Sequence, residues 1–376
     1  MAMRRPAEAF PAGEILKEEL EARGWSQADF AEIIGRPTNT ISDIVAGNRG
    51  ISPETARGLA AALGTTPEFW MNLDAAYQLS RVRDDGGDVI ARRAKLYEKA
   101  PVKEMIRRGW IEPSDNIAVL ENRLLKFFGV ENIDDEPELP LHAARKSTPY
   151  GRPTTPAQKA WLFRACQLAR AVGAETYSAT RFDDTIDRLR PLLNAPQEIR
   201  HVPRALSDAG IRLVVVQPLP GIKIDGACFW LDAAPIVAVS LRFDRIDYFW
   251  FCLMHELGHV RQGPGSFSFD ENLDPSSGDA DRPDVERDAN EFAVENLVPQ
   301  QRLEDFIARV RPLYSARRIE AFAHTIGVHP AIVVGQLQYR GEIAYSSFRQ
   351  TMAPARSWIT ASALTDGWGT TLPAQL

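Results

Sequence analysis

Two histidines spaced four residues apart, in His255-Glu256-Leu257-Gly258-His259, constrain this chain more than any other feature. At ~100° per residue they differ by only ~40° around a helix, so both imidazoles can reach one ion. Phe249, Trp250, Leu253, Leu257 and Val260 cluster on the side opposite His255. That pattern predicts a helix over about Asp244 to Arg261 that buries its back and offers its histidines. Cys166, Cys228 and Cys252 are few, odd in number and widely spaced, which argues against a disulfide framework and against a cysteine metal knuckle. A metal here must rely on histidine and carboxylate. The competing reading is a pair of surface histidines on an ordinary helix.

A third ligand is expected from a second helix over Asp284 to Leu297, whose acidic candidates are Asp284, Glu286, Asp288, Glu291 and Glu295. Val285, Ala289, Phe292, Ala293, Val294 and Leu297 mostly define one apolar face. Glu286 and Asn290 lie at its border, whereas Asp288, Glu291 and Glu295 point the opposite way. Periodicity therefore favours Glu286 and leaves the others open. Zinc held by two neutral imidazoles and one carboxylate keeps a fourth position for water, whose pKa falls towards ~7. Glu256 stands beside these ligands without being one, so it can take the proton and pass it to a departing amine, as general base and then acid.

The rest of the chain arranges itself around that centre. With 376 residues it exceeds what one core organises, and two or three domains are expected. Hydrophobic residues are 44% and charged residues 25%, ordinary globular usage. Residues 1–83 are expected to form one domain, in which Pro11 to Arg83 reads as five short helices with starts at Ser26, Thr38, Ser52 and Thr66. The run Asp84-Asp85-Gly86-Gly87-Asp88 marks a boundary, and residues 84–156 read as a helical connector and linker. Ile211 to Val216, Ala227 to Leu231 and Pro235 to Leu241 predict a small antiparallel sheet. Sheet followed by helices makes residues 157–345 an α+β domain, and 346–376 a tail. An exposed edge strand near Ala227 to Leu241 would let a peptide add as an extended strand. The stretch Asp270 to Asp284 reads as solvated loop, without a calcium register.

The second helix carries Glu286-Arg287-Asp288-Ala289-Asn290-Glu291-Phe292-Ala293, followed by Leu297-Val298-Pro299. Together with His255-Glu256-Leu257-Gly258-His259 this resembles the ImmA/IrrE metallopeptidases, in which an H-E-x-x-H helix precedes an E-x-x-A-N-x-F-A helix. Asp288 departs from the more usual Glu at a surface position. The resemblance implies zinc ligation by His255, His259 and Glu286, catalysis by Glu256, and a gluzincin-like fold. It also implies a protein substrate, commonly a helix-turn-helix repressor cut at a specific bond. A domain in which zinc is structural or a sensor, within a non-catalytic antitoxin or repressor, is the rival.

Within the first domain, Ser26 to Gly35 reads as a capped helix ending at a glycine, and Thr38 to Val45 as a second helix. Thr38, Asn39, Thr40, Ser42 and Asp43 are expected outward, with Ile41, Ile44 and Val45 inward. Such a helix can enter the major groove, with Asn39 on adenine and Gln27, Asn48 and Arg49 on phosphates. Pro11-Ala12-Gly13-Glu14-Ile15-Leu16, Gly47-Asn48-Arg49-Gly50-Ile51 and Phe69-Trp70 resemble XRE repressors, in particular HigA-type antitoxins. That resemblance implies a homodimer on operator DNA and admits a cognate toxin as partner. Nine Lys or Arg against eleven Asp or Glu in residues 1–83 keep a protein-binding helical bundle as the alternative. Phe322, Ala323, Ile326 and Gly327 echo Phe30, Ala31, Ile34 and Gly35, which suggests a second helix pair of the same shape. No apolar run approaches the ~20 residues that span a bilayer, and residues 1–20 lack an apolar signal core. A cytoplasmic protein is expected.

Overall fold

The computed structural model describes residues 10–81, 87–138, 154–264, 268–271 and 284–370. The proline-rich part of the expected linker, most of the acidic stretch after Asp270 and the last six residues lie outside these. The chain divides into two compact units, Met1–Ala91 and Arg92–Leu376. Among the described residues no helix is long and apolar enough to cross a membrane.

The first unit contains α1 (Ala12–Arg23), α2 (Gln27–Ile33), α3 (Thr38–Val45), α4 (Pro53–Leu63) and α5 (Pro67–Arg81). Side-chain caps set the starts: Ser26 and Asp29 form a reciprocal capping box on α2, and Ser52 accepts from the backbone of Thr55 on α4. Leu16, Phe30, Ile41, Leu59 and Trp70 fill the core. Gly13 lets α1 approach α3 closely, since a Cβ there would lie 2.1 Å from the Ile44 carbonyl oxygen.

The division between the units falls inside α6 (Gly87–Lys99), a few residues beyond the expected boundary. There follow α7 (Val102–Arg107), α8 (Ile117–Phe128), α9 (Pro156–Ala171), α10 (Thr180–Leu189) and α11 (Val202–Asp208). Next come β1 (Arg212–Val216), β2 (Ile224–Leu231), β3 (Ala234–Val239), α12 (Ile246–Gln262), β4 (Ser268–Glu271) and α13 (Asp284–Leu297). The unit closes with α14 (Gln300–Val310), α15 (Ala316–Ile326), α16 (Pro330–Tyr339), α17 (Arg356–Thr360) and β5 (Leu364–Asp366).

The sheet runs in the order β4-β2-β3-β1-β5. It is mixed rather than antiparallel: β1 pairs in parallel with β3 and β5, and β2 pairs antiparallel with β3 and β4. Both faces are buried. Leu213, Val215, Cys228, Trp230 and Val239 belong to the core that includes α12, while Val214, Val216, Ala227, Phe229 and Ala238 belong to the core of α8 and α9. Successive strand residues point to opposite faces, so an unbroken apolar strand such as Leu213 to Val216 requires a layer on each side.

That requirement corrects two expectations. Residues 92–128 are not a separate connector, because Leu96, Met105, Trp110 and Leu124 pack into the core on the far side of the sheet. Residues 346–370 are not a loose tail, because β5 pairs Val216 with Asp366 and Ile359 of α17 is buried. A third correction concerns the edge: β2 lies between β3 and β4, so Ala227 to Leu241 offers no free strand edge.

Candidate metal centre and helix-turn-helix surface

The H-E-x-x-H segment lies in the C-terminal half of α12, and α13 packs across it. Two glycines make the packing close. A Cβ on Gly258 would sit 2.8 Å from the Ala289 Cα of α13, and a Cβ on Gly226 of β2 would sit 2.2 Å from Oε1 of Glu256. The absence of those side chains brings helix to helix and strand to carboxylate. The histidines are covered rather than offered: His255, Glu256 and His259 are each 0% exposed.

Three donor atoms converge where α12 meets α13. Nε2 of His255 is 3.1 Å from Nε2 of His259, and Oε2 of Glu286 is 3.3 Å and 3.5 Å from those two nitrogens. Bonds of about 2.0–2.2 Å to a tetrahedral ion put its ligand atoms roughly 3.3–3.5 Å apart, so the spacing suits zinc. Donor chemistry agrees, since imidazole nitrogen with carboxylate oxygen matches zinc better than an all-oxygen calcium site. Burial works against the charge of Glu286, yet the two adjacent imidazoles outweigh it and hold the carboxyl far below its usual range.

Of the acidic candidates on α13, Glu286 alone faces the histidines, whereas Asp284, Asp288, Glu291 and Glu295 are exposed. His324 is exposed on α15, and His329 caps α16 by accepting from the Ala331 backbone, so neither joins the cluster. Two polar contacts were not anticipated from sequence. Nδ1 of His255 lies 3.0 Å from Oδ1 of Asn290, and Nδ1 of His259 lies 3.1 Å from Oε1 of Gln262. Asn290 was visible at the border of the apolar face, but no periodicity singles out Gln262.

In the first unit Thr38, Asn39 and Ser42 are exposed along α3, Asn48 and Arg49 are exposed just after it, and Gln27 is half-buried on α2. The backbone amides of Asn48 and Arg49 both donate to the Asp43 carbonyl, which folds that loop against the end of α3. Thr40 departs from expectation. It is buried, because it shares a face with Ile44 one turn on, and this removes it from the outward surface.

Residues 16–70 match the family model described as Helix-turn-helix, and residues 207–334 match the peptidase model described as IrrE N-terminal-like domain. Antitoxin HigA-1 of Vibrio cholerae is 42% identical over 82 residues, which span 22% of this chain and 74% of that protein. This chain joins an XRE-type helix-turn-helix domain of the HigA antitoxin family to an IrrE N-terminal-like peptidase domain. Virulence-associated protein I of Dichelobacter nodosus is similar to the HigA-like part, at 35% identity over 20% of this chain and 72% of that protein. Among solved structures, a HigA-family antidote protein from Coxiella burnetii is 38% identical over 23% of this chain and 94% of that chain, with TM-score 0.21. Pseudomonas aeruginosa antitoxin HigA, solved with the higBA promoter, is 34% identical over 22% of this chain and 91% of that chain, also with TM-score 0.21. The IrrE-like match runs from the last turn of α11 to the middle of α16 and contains all four residues of the candidate centre.

Proposed function

We propose that this chain is an antitoxin-type DNA-binding regulator whose IrrE-like domain is a zinc endopeptidase acting on a regulatory protein. The observation that carries the enzymatic half is the 3.1–3.5 Å triangle of His255 Nε2, His259 Nε2 and Glu286 Oε2. These three would hold the ion. Zinc, when bound, supplies Lewis acidity that polarises a carbonyl and brings the pKa of water down towards about 7.

The remaining work falls to the chain. Glu256 follows His255 directly, and its carboxylate rests against Gly226 of β2. There it would take a proton from water and return it to the departing amine. Purified full-length protein is expected to carry one zinc per chain by elemental analysis, and Glu286→Ala to lose most of it. Equal zinc in the two proteins would remove Glu286 from the ligand set.

The burial of both imidazoles and of Glu256 favours a second reading, in which the metal is structural and the domain senses rather than cuts. Structural zinc sites are closed, whereas catalytic ones keep an open position.

For DNA, the exposed α3 residues Thr38, Asn39 and Ser42 would face the major groove, with Asn39 reading a base. Gln27, Asn48 and Arg49 would hold phosphates and fix the register. The similarity to antitoxin HigA-1 supports this reading; in it the chain would bind its operator as a homodimer and pair with a cognate toxin. Asn39→Ala is expected to weaken binding to its own promoter by about 1–3 kcal/mol while leaving binding to unrelated DNA nearly unchanged. Titrations showing the same loss on both DNAs would rule out base reading by Asn39.

A further inference from the structure

Each histidine of the candidate centre is held at its outer nitrogen by a carboxamide, and both carboxamides tie back to the helix that carries Glu286. For His255 the tie is direct. Asn290 lies one turn beyond Glu286 on α13, is buried, and places Oδ1 3.0 Å from Nδ1 of His255. For His259 the tie has two links. Gln262 accepts from Nδ1 of His259 with Oε1 at 3.1 Å, and its Nε2 donates to the Val285 carbonyl at 2.7 Å. Val285 immediately precedes Glu286 in the first turn of α13.

We infer that Asn290 and Gln262 are positioning residues for the metal ligands, and that Gln262 acts as a clamp between His259 and the Glu286-bearing turn, a role that needs a side chain able to accept and donate at once. The inference rests on the metal reading above. A neutral imidazole that donates from Nδ1 keeps its lone pair on Nε2, and the two Nε2 atoms are those that converge with Glu286. An acceptor at each Nδ1 therefore fixes both the ring orientation and the tautomer that ligation needs.

The two positions differ in what chemistry they tolerate. Position 290 needs only an acceptor towards His255, and a carboxylate accepts at least as well as an amide. At 262 the side chain must accept from an imidazole N–H and donate to a backbone carbonyl at once. Glutamate can do the first but not the second, and as an anion it would face the Val285 carbonyl with like polarity.

Zinc affinity of the full-length chain, measured by competition with a chromogenic chelator, reads this without recourse to peptidase activity. Asn290→Leu is expected to weaken zinc about 10- to 100-fold, and Asn290→Asp to bind at least as tightly as the parent. At the other position, Gln262→Met and Gln262→Glu should both weaken zinc by about tenfold or more. Melting of the metal-free proteins checks folding, and exposed Gln262 leaves little there to disturb. Parent-like affinity in Gln262→Glu, or in Asn290→Leu, overturns the positioning role while leaving the metal reading intact. A parent chain that takes up no zinc overturns both.

Discussion

Glu256→Gln is expected to retain zinc and the fold while lowering peptide-bond cleavage by about 10²–10⁴-fold, the usual contribution of a positioned acid–base group. The substitution preserves shape, which matters because Glu256 is 0% exposed and touches Gly226 of β2. It removes the one property the reaction needs from this side chain, a carboxylate able to accept a proton and release it. Mapping new protein N-termini by mass spectrometry, in cells carrying the parent or the variant, gives the readout before any substrate is known. Cleavage products that depend on the parent and vanish with Glu256→Gln support the peptidase. Identical products in both strains would exclude Glu256 from the chemistry. No parent-dependent product, with zinc still bound, would favour the structural or sensing reading.

The centre was legible because helical periodicity makes a spatial statement from spacing alone. His255 and His259 had to share a side, and Glu286 stood out among five acidic residues because it bordered the apolar face that became the α12–α13 contact. What periodicity could not supply was the covering of that side, which follows from Gly258 and Ala289 being small enough for the helices to close on each other. Gln262 carries no sequence signal for a related reason: its contact is with the Val285 carbonyl, and a backbone group leaves no mark in the side-chain pattern. Polarity alone predicts Thr40 outward, but its i,i+4 relation to Ile44 puts it on the inner face.

The sheet teaches the same lesson at larger scale. Apolar runs mark β1, β2 and β3 to within a few residues, but pairing is a long-range property, and β5 lies far from its partner β1 in sequence. One clue was available. Leu213 to Val216 is apolar at every position, a pattern that fits a strand covered on both faces better than an antiparallel edge. The segment then has to find a second covering layer, which α8 and α9 provide.

Asp366 ties these distant pieces together, and Asp366→Ala is expected to destabilise the second unit by about 3–5 kcal/mol. The carboxylate is 0% exposed on β5. It accepts from Nε1 of Trp110 at 3.0 Å and pairs with Arg164 of α9, itself only 2% exposed. Truncation deprives a buried guanidinium of that carboxylate, and the cost comes mainly from the charge left behind rather than from the pair's own net worth. The distinction is testable. Replacing both partners with apolar residues, Arg164→Met with Asp366→Leu, should recover much of the loss, because neither charge then remains in the interior. Thermal melting is expected to show a fall on the order of 10 °C for the single variant and a smaller one for the double. A single variant within about 1 kcal/mol of the parent would mean that β5 is held by its backbone pairing with β1 and that the buried ion pair is incidental.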